Sequence, residues 1–217
     1  MRIRTLLATT ALVLAPPAGV ALGSASATWN ARTDFRLGAA HANPSPDAAG
    51  RSVWVYMMGR QGASGLGSLS LLRNFSTAWD GANTQFWSGT TAGWQGKTFP
   101  LVGIRPGSLS RPGMLTVHPI GGTTAVIGWR SPINGSVGVS VRLVDLDPGG
   151  GDGVSWTLSL DGKIVKNGAI ANGQAGAARL SNLGVRKGQL VWVAVGSGSN
   201  ANDTYDTTAV GIVVSAT

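Results

Sequence analysis

The aspartates are the strongest candidates for chemistry in this chain. All nine acidic residues are aspartate, and three of them, Asp145, Asp147 and Asp152, fall in the glycine-rich segment DLDPGGGDG. Alternate aspartates on an extended segment face one way, and the glycines allow the backbone to fold around an ion. Calcium takes about six to eight hard oxygen ligands, chiefly carboxylates and carbonyls. The segment therefore predicts a calcium site, with the capping of turns by aspartate as the alternative.

Aromatic residues supply a second kind of candidate site. The chain has eight tryptophans and two tyrosines. Trp87 and Trp94 lie in a loop-rich stretch among amide side chains, and Trp54 and Tyr56 lie two apart on one face of a short predicted strand. Flat aromatic faces can stack on sugar rings while amides bond the hydroxyl groups. These four residues are the predicted carbohydrate-binding residues, and the alternative is that they fill the core.

Catalytic constellations are hard to find in the sequence. Two histidines, His41 and His118, lie far apart, cysteine is absent, and no G-x-S-x-G motif occurs. Zinc hydrolysis requires clustered His or Cys ligands, and glycoside hydrolysis commonly requires two carboxylates of different pKa. We expect a protein that is not an enzyme, with an aspartate-based glycan-cleaving enzyme as the remaining catalytic alternative.

The positive charge does not indicate a nucleic-acid partner. The chain has 17 basic residues and a formal net charge of +8 at pH 7. The basic residues are scattered singly, apart from the pair Arg186-Lys187. Nucleic-acid binders usually gather such charge into one patch. A solvated, mildly basic surface and no nucleic-acid partner are therefore expected.

The first 27 residues have the pattern of a secretory signal peptide. Arg2 and Arg4 precede a short apolar run, Leu6 to Leu14, and Ala25-Ser26-Ala27 supplies small residues at a cleavage site. The apolar run is too short for a permanent transmembrane helix, which needs about 20 residues. We expect residues 1–27 to be removed and the product to be secreted, extracellular or periplasmic, without a membrane anchor.

The remaining residues, 28–217, predict a single all-β domain. Glycine is abundant, with 33 residues, and short apolar alternations are separated by Gly, Asn, Asp and Pro. This pattern is typical of an antiparallel sandwich. The sequence Asp161-Gly162 is a strong hairpin signal. The predicted strands are Thr124 to Trp129, Val137 to Leu143, Val154 to Leu160, Gln189 to Val195 and Ala209 to Val214. Residues 29–53 are interpreted as loop with at most one edge strand, and residues 57–75 as able to form a helical turn but too glycine-rich for a stable helix.

Short motifs along residues 34–214 resemble secreted bacterial jelly-roll domains related to carbohydrate-binding modules of the galactose-binding-like fold. The motifs are Asn43-Pro44, Trp54-Val55-Tyr56, Phe75, Trp87, Pro100, Val117-His118-Pro119, the run from Val126 to Pro132, Gly151-Asp152-Gly153-Val154 and Tyr205-Asp206-Thr207-Thr208. The resemblance implies an antiparallel jelly-roll β-sandwich, frequent calcium binding and sugar recognition.

The same resemblance implies a second place for calcium. In such modules a structural calcium often ties the first strand to the last, and the matching residues here are Asp34 and Asp206. Those modules often use glutamate near the N-terminus, and this chain has none. The leading hypothesis is a secreted, non-catalytic module that recognises a glycan or polysaccharide and holds calcium. The alternative is a structural or interaction protein of the cell surface or extracellular matrix.

Overall fold

Two antiparallel sheets form the body of the protein in the computed structural model, which describes residues 26–35, 42–63, 65–79, 82–93, 96–104, 114–200 and 202–217. The strands are β1 (Thr28–Asn30), β2 (Ser45–Pro46), β3 (Ser52–Arg60), β4 (Leu69–Leu71), β5 (Asn74–Trp79), β6 (Ala82–Ala92), β7 (Thr98–Ile104), β8 (Leu115–His118), β9 (Thr123–Arg130), β10 (Gly135–Asp145), β11 (Val154–Leu160), β12 (Lys163–Ile170), β13 (Ala175–Val185), β14 (Leu190–Ser197) and β15 (Thr208–Ala216). A one-turn helix, α1 (Ala31–Asp34), follows β1, and a 3-10 turn at Leu66–Ser68 precedes β4.

The strand order confirms the predicted jelly-roll β-sandwich. The first sheet has the order β13-β10-β15-β8-β7-β6-β5. Strand β8 pairs with the first residues of β15, and β1 pairs with the same edge of β15 closer to its C-terminal end. The second sheet has the order β12-β11-β14-β9-β3-β2, with β4 beside β3. From β8 onward the chain passes back and forth between the sheets, and β11 and β12 are the consecutive strands of this part that stay in one sheet.

Alternating side chains explain why the second half of the chain forms these strands. Val137, Val139, Val141 and Leu143 of β10 all point into the space between the sheets and are buried. The intervening residues face outward, as expected for a strand with one face in the core. Strand β11 has the bounds that the sequence predicted, and the turn after it places Asp161 at φ 46° and Gly162 at φ 94°. Two successive positive φ values are the geometry of the predicted hairpin turn.

Large aromatic residues fill the space between the sheets. Trp29, Trp54, Tyr56 and Trp129 are all essentially inaccessible, and the rings of Trp29 and Trp129 lie 4.9 Å apart. A second apolar cluster covers the outer side of the second sheet and consists of Val55, Met57, Val126, Leu190, Trp192 and Ala194. Strands β3, β9 and β14 are therefore buried on both faces.

The first half of the chain is more regular than the sequence predicted. Residues 29–53 include β1, α1 and β2, and residues 57–75 contain most of β3 and the short strand β4. Among the described residues, no helix is long and apolar enough to cross a membrane. Most of the predicted signal peptide, residues 1–25, lies outside the described residues, so that part of the domain assignment stays a prediction.

Candidate functional site

Two loops meet at one end of the sandwich, and together with the last residue of β10 they carry five of the nine aspartates. One loop joins β10 to β11 and the other joins β14 to β15. Their neighbourhood follows from the strand register, because Asp145 of β10 pairs with Thr208 of β15, and Val154 of β11 pairs with Ser197 of β14. The backbone N–H of Leu146 also donates to the carbonyl of Thr207 at 2.8 Å.

The Asp206 carboxyl group is fully buried at this end. Neither of its oxygens has a hydrogen-bond partner within the described part of the chain. Burial raises the pKa of Asp206 to about 8, and the nearby carboxylates of Asp152, Asp145 and Asp203 add to the increase. The Ser197 hydroxyl is close enough to lower the pKa somewhat, but it does not reach hydrogen-bond geometry. In the absence of a cation, Asp206 is therefore mainly protonated at neutral pH.

Two further buried oxygens lie in the same region. Asp152 accepts hydrogen bonds at Oδ2 from the backbone N–H of Asn200 at 2.7 Å and from the hydroxyl of Ser199 at 3.2 Å. Its Oδ1 atom is buried and has no partner among the described residues. The Ser197 Oγ atom is also buried and has no partner among the described residues. Together with the two oxygens of Asp206, four buried oxygen atoms lack a hydrogen-bond partner here, which is uncommon for buried polar groups.

Two other aspartates at this end, Asp145 and Asp203, accept hydrogen bonds from backbone N–H groups of nearby loops. Asp145 accepts from the backbone N–H groups of Asp147 at 3.0 Å and Gly173 at 2.9 Å, which is the turn-capping role that the sequence left open. Asp147 is half-buried in the same loop. Asp203 accepts from the backbone N–H of Gly121 at 2.6 Å. We call Asp145, Asp152, Ser197, Asp203 and Asp206 the Asp206 cluster.

The Asp206 cluster has the donor chemistry of a hard-cation site. Every side chain in it offers oxygen, and Asp145, Asp152, Asp203 and Asp206 form no ion pair with a basic residue of the described chain. A salt bridge does form elsewhere, between Arg51 and Asp47 at 2.7 Å. Across the described ranges, no three Asp, Glu, His or Cys side chains converge as a complete set of metal ligands. The unpartnered buried oxygens of the cluster are nevertheless of the hard type that calcium accepts, which includes hydroxyl and carbonyl oxygens besides carboxylates.

The hydrogen bonds of Asp34 within the described residues do not involve Asp206, and the pairing of the two carboxylates through a shared ion stays a prediction. Asp34 accepts at Oδ2 from the indole Nε1 of Trp54 at 2.9 Å and from the backbone N–H of Asn30 at 3.3 Å. The carboxylates that act on Asp206 are those of Asp152, Asp145 and Asp203. The structure joins the two regions that the sequence kept apart, Asp206 and the 145–152 loop. Sequence reasoning missed Asp203 and Ser197, although Asp203 lies only three residues before Asp206.

The predicted sugar face requires correction. Trp54 and Tyr56 lie on one face of β3, as predicted, but that face is the core side, and neither side chain has accessible surface. Trp87 is 9% exposed and packs on the ring of Phe75 at 5.1 Å between centroids. These three aromatics therefore fill the core and present no face to a sugar. Trp94 lies outside the described residues, and its role stays a prediction.

No protein-family model and no curated protein matches the chain. Among solved structures, it is similar to a family 35 carbohydrate-binding module from Clostridium thermocellum, at 17% identity over 51% of this chain and 84% of that one, with a TM-score of 0.35. A family 51 module from Clostridium perfringens in complex with methyl-galactose matches at 11% identity, over 67% and 94%, with a TM-score of 0.39. A family 36 module in complex with calcium and xylotriose matches at 17% identity, over 46% and 76%, with a TM-score of 0.31.

The strand pairing itself establishes the β-sandwich, and at these identities and TM-scores the likeness transfers no residue role and no ligand.

Proposed function

We propose that this chain is a non-catalytic binding module that recognises a carbohydrate and holds calcium at the Asp206 cluster. The observation that carries the calcium part is the fully buried Asp206 carboxyl group, which lacks any partner among the described residues. A buried carboxylate is tolerated when it is neutralised, paired or bound to a metal. No basic side chain of the described residues contacts Asp206, so a cation from solution is the partner that its chemistry favours.

Asp206, Asp152 Oδ1 and Ser197 Oγ are the groups that would hold the ion. When bound, calcium supplies positive charge that keeps Asp206 ionised and links the β10–β11 loop to the β14–β15 loop. Asp145 would act indirectly, because both of its oxygens already fix the turn of the first loop. Bound ions of this kind stabilise the folded chain in proportion to the logarithm of ion concentration over the dissociation constant.

Burial of Asp206 argues against the glycan-cleaving alternative. A general acid must reach the glycosidic oxygen of its substrate, within about 3 Å. Asp206 has the raised pKa of such an acid, but its side chain has no accessible surface. His118, the histidine within the described residues, lies in β8 with its ring 5.1 Å from that of Phe99. This packing suits a structural role.

The burial of Trp54, Tyr56 and Trp87 favours a second candidate function. Without those rings at the surface, the sandwich could serve as a scaffold in a structural or interaction protein of the cell surface or matrix. Export stays a prediction for both candidates. Cleavage after Ala27 would leave Thr28, the first residue of β1, as the N-terminus of the mature chain.

Retention on immobilised polysaccharides, with calcium or with chelator, separates the two candidates. The binding module is expected to be retained on at least one polysaccharide in calcium and to be released more readily in chelator, because the ion orders the loops of that end. The variant Trp87→Phe serves as a control and should be retained like the wild type, since Trp87 faces the core. Absence of retention on every polysaccharide in calcium would favour the scaffold. Equal retention in calcium and in chelator would show that calcium does not contribute to polysaccharide binding.

A further inference from the structure

Tyr205 places an aromatic ring at the surface of the Asp206 cluster. It directly precedes Asp206 and is 42% exposed. Its backbone lies in the left-handed region, at φ 71°, which is rare for a bulky residue. A conformation of this kind persists when the surrounding structure holds it in place, and such positions gather at ligand sites.

Successive glycines of the β10–β11 loop lie beneath this ring. A Cβ atom on Gly150 would come within 2.8 Å of both Cδ2 and Cε2 of Tyr205, and one on Gly149 would lie 3.4 Å from Cε1. The Tyr205 ring therefore packs against the glycines of this loop, and 42% of the residue stays exposed to solvent.

The reason for glycine differs between two neighbouring positions of this loop. Gly151 has φ 84°, a conformation that favours glycine in any surroundings. Gly150 has no such φ, so its backbone would accept alanine. What a side chain at Gly150 would meet is the Tyr205 ring. The glycine at position 150 therefore leaves room for that ring to pack against the loop.

We propose that the exposed surface of the Tyr205 ring stacks on the pyranose ring of a neutral glycan. This inference rests on the proposed function and locates its sugar contact. A flat, seated ring loses little freedom on binding and offers an apolar surface to the C–H face of a sugar. The exposed Asn202 in the same loop carries an amide that can donate to a sugar hydroxyl.

Charge selects the class of glycan. Asp145, Asp152 and Asp203 lie close to Asp206 and form no ion pair with a basic residue of the described chain. These three carboxyl groups and Asp206 outnumber the two positive charges of one bound calcium ion. Like charges brought together cost free energy, so a uronic acid would be disfavoured at this end even with the ion bound.

Affinity electrophoresis in calcium tests the proposal with xylan, mannan, galactan and β-glucan as neutral probes and polygalacturonate as the acidic one. Tyr205→Asn removes the ring but tolerates the positive φ, and Gly150→Ala displaces the ring without touching it chemically. Both variants should weaken binding to the retained neutral polysaccharide about tenfold or more, as expected for the loss of a stacked ring. Tyr205→Phe should stay within about twofold of wild type because it keeps the ring.

Gly67→Ala is the matched control for Gly150→Ala, because a Cβ atom at position 67 would meet nothing within 4 Å. Calcium titration should give the wild-type result for all of these variants. Wild-type affinity in Tyr205→Asn, or tighter binding to polygalacturonate than to any neutral probe, would overturn the Tyr205 assignment while the proposed function stands. A wild-type protein that binds calcium but none of the polysaccharides would overturn both this assignment and the carbohydrate part of the proposed function.

Discussion

Two buried aspartates show opposite solutions to the same physical problem. Asp47 is 2% exposed and accepts hydrogen bonds from the indole of Trp29 at 3.0 Å, the Nε of Arg51 at 2.8 Å and the backbone N–H groups of Ala49 and Arg51. Asp206 is equally buried, and neither of its oxygens has a hydrogen-bond partner in the described structure.

The pKa values of the two carboxyl groups diverge accordingly. Burial by itself raises the pKa of Asp47, but the hydrogen bonds from Arg51 and Trp29 and the charge of Arg51 outweigh that effect and hold the pKa below its usual range. Burial and, to a smaller extent, the neighbouring carboxylates together raise the pKa of Asp206 to about 8, and no basic group of the described chain offsets them. The carboxylate of Asp47 therefore finds all its hydrogen-bond and charge partners within the chain, whereas Asp206 requires a partner from outside the chain to be ionised.

The largest effect is expected at Asp47. The variant Asp47→Ala leaves the Trp29 indole and backbone N–H groups without their acceptor and Arg51 without its ion pair. Removing one member of such a buried network should cost about 3 kcal/mol of unfolding free energy. For a chain of this length that is a decrease of roughly 6–12 °C in melting temperature. The decrease should be the same in calcium and in chelator.

The matched variant Asp206→Asn, by contrast, should lose little stability in chelator. It replaces a mainly protonated acid by a neutral amide of the same shape, so thermal melting at neutral pH should show no loss of comparable size. An equal loss of stability in both variants would mean that Asp206, like Asp47, has structural partners.

A smaller effect is expected from pH in the chelated protein. The folded-state pKa of Asp206, about 8, lies above the unfolded value of 3.8, so the folded chain binds a proton that the unfolded chain releases. Stability from this group is present at low pH and declines as pH rises toward 8. Between pH 6 and 8 the decline should be about 2 kcal/mol for wild type and should be absent in Asp206→Asn. Parallel pH curves for the two proteins would contradict the raised pKa.

Local patterns in the sequence were sufficient to predict much of the second half of the fold. Strand β11 and its hairpin turn follow from alternation and from Asp161-Gly162. Strand β13 was missed because it lies at a sheet edge, where most of its side chains are exposed and small. Its segment therefore lacks the apolar alternation on which strand prediction depends.

The direction of side chains was harder to predict than the strands themselves. Trp54 and Tyr56 alternate with Val55 and Met57, and all four are buried because β3 has apolar neighbours on both sides. When both faces of a strand are apolar, the sequence does not distinguish the core face from a binding face.

The candidate site depended on contacts between distant parts of the chain. The aspartate-rich loop was visible as a local motif, but its neighbour Asp206 lies more than fifty residues away. The two come together through the pairing of β10 with β15 and of β11 with β14. Such register is not encoded in any short motif, so the sequence alone could not connect Asp206 with the 145–152 loop, and the pairing of Asp206 with Asp34 came from the resemblance.

Calorimetric titration of calcium into the chelator-treated and dialysed protein at pH 7 tests the central claim most directly. Wild type and Asp161→Asn, a control at a surface turn, are expected to bind calcium with the same affinity. Asp206→Asn is expected to bind at least about tenfold more weakly, because it loses the buried carboxylate that the ion would neutralise. Calcium binding of equal affinity in wild type and Asp206→Asn, or no binding in wild type, would contradict the assignment of the Asp206 cluster as a calcium site.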